Sequence, residues 1–212
     1  MSGPRIWFTS DLHFGHRKVA ELRGFESTDA HDETIAANWH EVVRPKDQVW
    51  VLGDIAVSSP QRALAILSTL PGEKHLIWGN HDQGHPMHRD AHRKAGQYLH
   101  VFESVAMAAR RRIAGQSVLV SHFPYVGDTD GRDEDRHGEW RLRVEGQPMD
   151  EVAPIIHGHT HSARKFSWAH PDVIIEDFGG QDTFDLGPQV HVGLDAWDMQ
   201  LVSVEQIEDV LL

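Results

Sequence analysis

Five short polar strings fall along this 212-residue chain, and each follows directly on a run of apolar residues. They are Asp11-Leu12-His13, Gly53-Asp54, Gly79-Asn80-His81-Asp82, Ser121-His122 and Gly158-His159-Thr160-His161. Apolar runs that end on acids, amides and imidazoles place those groups past the C-terminal ends of strands. In open α/β sheets that edge is where ligands bind. The five strings can therefore converge if their strands lie side by side, and this restricts the fold more than any bulk property does.

Local patterns supply such strands. Arg5 to Ser10 reads as a buried strand delivering Asp11, Gln48 to Leu52 as one delivering Gly53-Asp54, and Lys74 to Trp78 as one delivering Gly79 to Asp82. Between them, Thr28 to Val43 has helical spacing with Ile35, Trp39 and Val42 on one face. A second helix is expected from a Ser59 cap and Pro60 onward, with Ala63, Ile66, Leu67 and Leu70 on its apolar side and Pro71-Gly72 as its stop. Alternating strands and helices imply a parallel α/β core.

The second half is richer in strands. Tyr98 to Arg112, Ser117 to Ser121, Ala153 to Ile156, Val173 to Glu176 and Gln189 to Leu194 are predicted extended, with a turn at Ala114-Gly115-Gln116. Ser203-Val204-Glu205-Gln206 forms a capping box for a final helix. These elements suggest a second sheet packed on the first. Trp7, Trp39, Trp50 and Trp78 fall within the runs and are read as core. With no internal repeat or linker, residues 1–212 are expected to form one domain.

The strings offer seven oxygen or nitrogen ligands and one spare histidine, enough for a pair of divalent ions. There is no cysteine. Carboxylate, amide and imidazole donors without thiolate favour Mn²⁺, Fe or Zn²⁺ in an open catalytic site over a closed structural zinc site. Asp11 and His13, two apart in an extended segment, should project to the same side. His159 and His161 repeat that spacing. His85, His88 and His92 could share a helical face but lack a carboxylate-bearing motif, so they are not read as a metal site.

The order and content of the five strings resemble the calcineurin-like metallophosphoesterases. The resemblance runs from Asp11 to His161 and continues weakly beyond. It implies an α-β-β-α sandwich of two mixed sheets flanked by helices. It further implies one metal site of Asp11, His13, Asp54 and His161, and a second of Asp54, Asn80, His122 and His159, with Asp54 bridging and Gly53 allowing close backbone approach. No expected ligand is missing. Two divalent ions, two aspartates and a bridging hydroxide leave a net charge of about +1, which attracts an anionic phosphoester.

His81 lies outside that ligand set, beside the second site, where it could donate a proton to a leaving oxygen. Some relatives orient this histidine with an Asp shortly after the Gly-Asp motif. Here the chain reads Gly53-Asp54-Ile55-Ala56-Val57, which leaves Asp82 as the remaining candidate. His16 could reach a substrate phosphate, and His157 is read as a neighbour supporting the ligands. Residues 127–147 form a polar connection with seven acidic residues and four arginines. A loop that long is usually functional, so it is a possible lid in which Arg132, Arg136, Arg141 and Arg143 could pair with phosphate oxygens.

The resulting expectation is a metal-dependent phosphoesterase acting on a small phosphodiester or phosphomonoester such as a nucleotide, with two divalent ions, Mn²⁺ foremost. A nuclease of the same fold is the alternative within enzymes, and a non-catalytic interaction scaffold the alternative outside them. Net charge of −12 argues against a broad surface for extended nucleic acid. There is no apolar run of membrane-spanning length, and Met1 to Phe8 lacks the apolar stretch of a signal peptide. A cytoplasmic protein without a membrane partner is therefore expected. The sequence leaves the oligomeric state open.

Overall fold

The computed structural model describes residues 3–125, 137–142, 152–168 and 187–211. Strands β1 (Ile6–Thr9), β2 (Gln48–Val51), β3 (Glu73–Ile77) and β4 (Ser104–Ala106) pair in parallel in that order. A second sheet joins β5 (Ala108–Ile113), β6 (Gln116–Ser121), β7 (Ile155–His157), β8 (Phe166–Trp168) and β9 (Pro188–His191) in the order β5-β6-β7-β9-β8. Its centre, β6-β7-β9, is parallel and its two outer pairs are antiparallel. Strand β10 (Val202–Ser203) returns to pair antiparallel with β1 in the first sheet. Both sheets are thus mixed.

Helices flank them: α1 (Arg17–Leu22), α2 (Thr28–Val42), α3 (Gln61–Thr69), the short α4 (Ala91–Lys94) and α5 (Val204–Leu211). Among the described residues, no helix is long and apolar enough to cross a membrane.

Side-chain alternation explains the layering. Trp7, Val49, Val51 and Leu76 face one side of the first sheet and pack with Ile35 and Trp39 of α2 and Ala63 and Leu67 of α3. Phe8, Trp50, Leu52 and Ile77 face the other side and meet Val118, Val120, Ile156 and Val190 of the second sheet. With both faces covered, these strands read as continuous apolar runs. Each fully buried large side chain contributes about 1.5–3 kcal/mol, so the two layers outweigh any cap or surface ion pair. The four tryptophans assigned to the core are all buried there.

Most predicted elements form within a residue or two of their expected ends. Ser203 and Gln206 make the capping box, with the Ser203 N–H donating to Oε1 of Gln206 at 2.9 Å and the Gln206 N–H to Oγ of Ser203 at 3.3 Å. Two expectations need correction. Ser59 does not cap α3: Pro60 is the N-cap residue, and the Ser59 hydroxyl bonds the Gln61 side chain. The segment starting at Tyr98 is not extended throughout, because Ala95–His100 coils into a 3₁₀ turn. Tyr98 is pinned there from the side, its ring edge-on to Trp78 at 4.7 Å and its hydroxyl accepting the Gln83 N–H at 3.0 Å. The expected strand Val173 to Glu176 lies outside the described residues.

Candidate metal centre

The strand ends are stitched together by backbone. Asp11 N–H donates to Gly53 O at 3.1 Å, His13 N–H to Asp54 O at 3.0 Å and Gly158 N–H to His122 O at 3.0 Å. Two glycines make this approach possible. At Gly53 (φ +84°) a Cβ would stand 2.4 Å from the backbone nitrogen of Gly79, and at Gly158 it would stand 1.7 Å from Oγ of Ser10 and 2.6 Å from Oδ2 of Asp11.

Asp11, His13, Asp54, His159 and His161 all hold positive φ, between 47° and 71°. Left-handed backbone is costly for residues with a Cβ, and its clustering marks a place where the fold imposes a required geometry. It also corrects the expectation for Asp11 and His13. They converge by left-handed turns rather than by alternation along an extended segment.

The side chains form two groups. In the first, Nε2 of His13 and Nε2 of His161 are 3.1 Å apart, and they stand 3.9 and 3.8 Å from Oδ1 of Asp11. In the second, Nε2 of His122 lies 3.0 Å from Oδ1 of Asn80 and 3.2 Å from Nδ1 of His159. Asp54 stands between them, its Oδ2 3.9 Å from Nε2 of His13 and 3.7 Å from Nε2 of His122. The sequence placed all seven residues together, and the structure brings them within reach of one another.

Burial raises the Asp54 carboxyl well above its usual range, and the charge of Asp11 adds to this. Burial works the same way on Asp11, but the imidazoles of His122, His161 and His13 outweigh it and hold that carboxyl low. Burial drives His13 well below its usual value. Two buried carboxyl groups ringed by imidazole nitrogens form a donor set suited to cations.

Residues 5–170 match the calcineurin-like phosphoesterase superfamily domain. The chain belongs to that superfamily. It is 44% identical over 216 residues to the Gene 66 protein of Mycobacterium phage L5, covering 97% of this chain and 93% of that protein. The Gene 66 protein of Mycobacterium phage D29 is 42% identical over 214 residues, covering 97% and 95%. Among solved structures, a protein of unknown function from Aquifex aeolicus shares the fold. Its TM-score is 0.69 at 23% identity, covering 98% of this chain and 100% of that one.

Membership of this phosphoesterase family implies divalent metal ions, and the residues present fit them. Among the described residues, Oδ1 of Asp11 is buried with no hydrogen-bond partner, a state costly for a carboxylate oxygen unless a cation meets it. Two imidazole nitrogens about 2.1 Å from one ion stand about 3.0–3.4 Å apart for octahedral to tetrahedral angles, a range that holds the 3.1 Å between His13 and His161.

Asp82 does not orient the His81 ring. Its Oδ2 accepts the N–H groups of Asp54 at 3.0 Å and Gly79 at 2.9 Å, and its Oδ1 accepts that of Ile55 at 3.1 Å. Burial and the nearby Asp54 push its carboxyl up to about 7, while these donors pull it down. His81 extends over the site, with Nε2 3.9 Å from Oδ2 of Asp54 and its backbone N–H donating to Oδ1 of Asp54 at 2.9 Å. Burial, then His122 and His159, lower its pKa to about 4.

Around this candidate centre, His16 caps α1, its Nδ1 accepting the Val19 N–H at 3.3 Å, with its ring 5.9 Å from that of His13. His157 is buried, and its ring stacks on His191 at 5.3 Å. His88 bonds the Asn80 carbonyl at 2.8 Å, so it braces a candidate ligand. Of the four arginines, Arg141 donates to the Pro124 carbonyl at 2.8 Å. Arg132, Arg136 and Arg143 lie outside the described residues, as does most of 127–147.

Sequence reasoning missed three residues. His137 lies 5.0 Å from the His159 ring and stacks on Phe123 at 5.3 Å. Asp195 accepts from Nδ1 of His161 at 2.9 Å, and Arg23 pairs with Asp195. Asp195 follows a strand as the recognised motifs do, and that signal was available. Nothing local distinguishes Arg23 or His137.

Proposed function

We propose that this chain is a dinuclear metal-dependent phosphoesterase that hydrolyses a small phosphodiester or phosphomonoester, a nucleotide among them. The observation that carries this reading is the position of Asp54, whose single Oδ2 faces both His13 and His122 at under 4 Å. Asp11, His13, Asp54 and His161 would hold one ion, and Asp54, Asn80, His122 and His159 the other. Divalent ions, Mn²⁺ foremost, would supply Lewis-acid activation of water and charge neutralisation at the phosphoryl oxygens.

The protein's own residues have separate tasks. Two divalent ions held by two aspartates and neutral donors would leave a net positive site that attracts a phosphate anion. His81 sits at the open side, 42% exposed, within reach of an ester oxygen entering the site. Its low pKa makes the ring neutral at working pH in the free site. It can donate an N–H hydrogen bond in that form, and it becomes a proton donor when the negative charge of a bound phosphoester raises it. Segment 127–147 would govern substrate choice, through its arginines and through His137 next to His159.

The experiment is a substrate panel with Mn²⁺ added: a chromogenic phosphodiester, a chromogenic phosphomonoester, nucleotides and single-stranded DNA. Turnover of a small ester well above that of DNA supports this reading. Preferential cleavage of DNA would favour the nuclease, and no turnover of any of them the interaction scaffold.

A further inference from the structure

Arg23 and Asp195 form a partly buried ion pair at one side of the first ligand group. Nε of Arg23 donates to Oδ1 of Asp195 at 2.9 Å and its Nη2 to Oδ2 at 2.7 Å, a two-pronged fork. The Arg23 side chain is 5% exposed. The same Nη2 donates to the carbonyl of Asp11 at 2.8 Å, and Nη1 is 3.0 Å from Nε2 of His31. Oδ2 of Asp195 also meets Nδ1 of His161 at 2.9 Å. One guanidinium thus bears on the backbone of Asp11 and, through Asp195, on the ring of His161.

We propose that Asp195 and Arg23 are positioning residues that lock His161 for metal binding, an inference that rests on the proposed dinuclear centre. His161 needs such a lock. Its side chain is 38% exposed on a left-handed turn, with the ring of His13 stacked on it at 5.0 Å. An Nδ1–H donated to a carboxylate leaves the Nε2 lone pair facing the site and fixes the ring's rotation. The fold prepares this contact: Gly193 bridges Ser10 in parallel, which sets the turn carrying Asp195 beside the end of β1. Asp195 lies beyond residues 5–170, the span of the family match, so the carboxylate of this lock comes from the chain's C-terminal part.

The test is calorimetric titration of Mn²⁺ into metal-free wild type, Asp195→Ala, Asp195→Asn, Arg23→Lys, His161→Ala and the double variant Asp195→Ala/His161→Ala. Wild type should bind two ions. Asp195→Ala should weaken one step by about 10–100-fold and leave the other unchanged. Asp195→Asn, which keeps an acceptor oxygen, should recover part of the loss. Arg23→Lys, which cannot make the fork, should weaken the same step. The double variant should bind no worse than His161→Ala alone, because the lock has nothing left to hold.

Circular dichroism checks that each variant is folded. If Asp195→Ala is not, Asp195→Asn and Arg23→Lys carry the test. Wild-type affinities in those variants, or equal weakening of both steps, would overturn the positioning role. Failure of wild type itself to bind Mn²⁺ would overturn the metal centre first, and this inference with it.

Discussion

Oδ2 of Asp82 accepts the backbone N–H of Asp54 at 3.0 Å, so the last residue of the Gly-Asn-His-Asp string holds the Gly-Asp string from beneath. The same carboxylate takes the N–H groups of Ile55 and Gly79, clamping the turns after β2 and β3. Replacing it by Asn leaves one acceptor oxygen and turns an amino group toward backbone donors. A buried donor left without a partner costs about 1–3 kcal/mol. Asp82→Asn is therefore expected to lower stability by about 2–3 kcal/mol and to lower metal content. Denaturant unfolding and metal analysis check this, and wild-type values for both would show the clamp to be dispensable.

His81 should behave differently, because it is absent from both ligand groups. His81→Ala is expected to keep bound metal while lowering kcat by about 10²–10⁴-fold for esters with poor leaving groups. Good leaving groups need less help and should suffer less. Measuring kcat across a series of aryl esters separates the roles. Equal losses throughout would reject proton donation and leave hydrogen bonding by the neutral ring.

Gly158→Ala tests how closely the strand ends must approach. The new methyl would overlap Oγ of Ser10 and crowd Oδ2 of Asp11, and neither can retreat, since Ser10 donates to the Leu52 carbonyl and Asp11 accepts from the His159 N–H. Overpacking of this kind costs about 1–3 kcal/mol or more. The variant should unfold at a lower temperature and bind metal more weakly. An unchanged melting temperature would contradict the close packing.

Much of this centre was legible in the sequence, because strand-end polar strings report position along the chain and in space together. Asp54 and His122 are 68 residues apart, yet each follows its own apolar run. What could not be read was whatever depends on a third element. Asp82 looked free to orient His81 until the N–H groups of three other residues claimed it. Tyr98 looked extended until Trp78 and Gln83 fixed it from the side. The left-handed turns at Asp11 and His13 likewise come from stitching against Gly53 and Asp54, which local spacing does not reveal.

His85 gives the fold a defined response to acid. It is fully buried, edge-on to Trp140 at 4.8 Å, and burial, then His122 and His88, lower its pKa from 6.5 to about 4. Between those values the unfolded chain binds a proton that the folded chain does not. Stability from the neutral ring is therefore complete above about pH 6.5 and lost as pH falls toward 4, by up to about 3 kcal/mol. His85→Gln, which cannot protonate, should lessen the slope of the stability profile of the metal-free protein across that window by up to about one proton. A wild-type slope in the variant would assign the acid sensitivity to other groups.

The dinuclear reading is tested most directly by following metal content and phosphoester turnover together. Protein stripped by chelation and dialysis should lose activity on a chromogenic ester. Activity should return as Mn²⁺ is restored, reaching its plateau at two ions per chain, and Asp54→Ala should fail to retain both. Undiminished hydrolysis after confirmed metal loss, or a plateau at one ion with Asp54→Ala unaffected, would contradict the account.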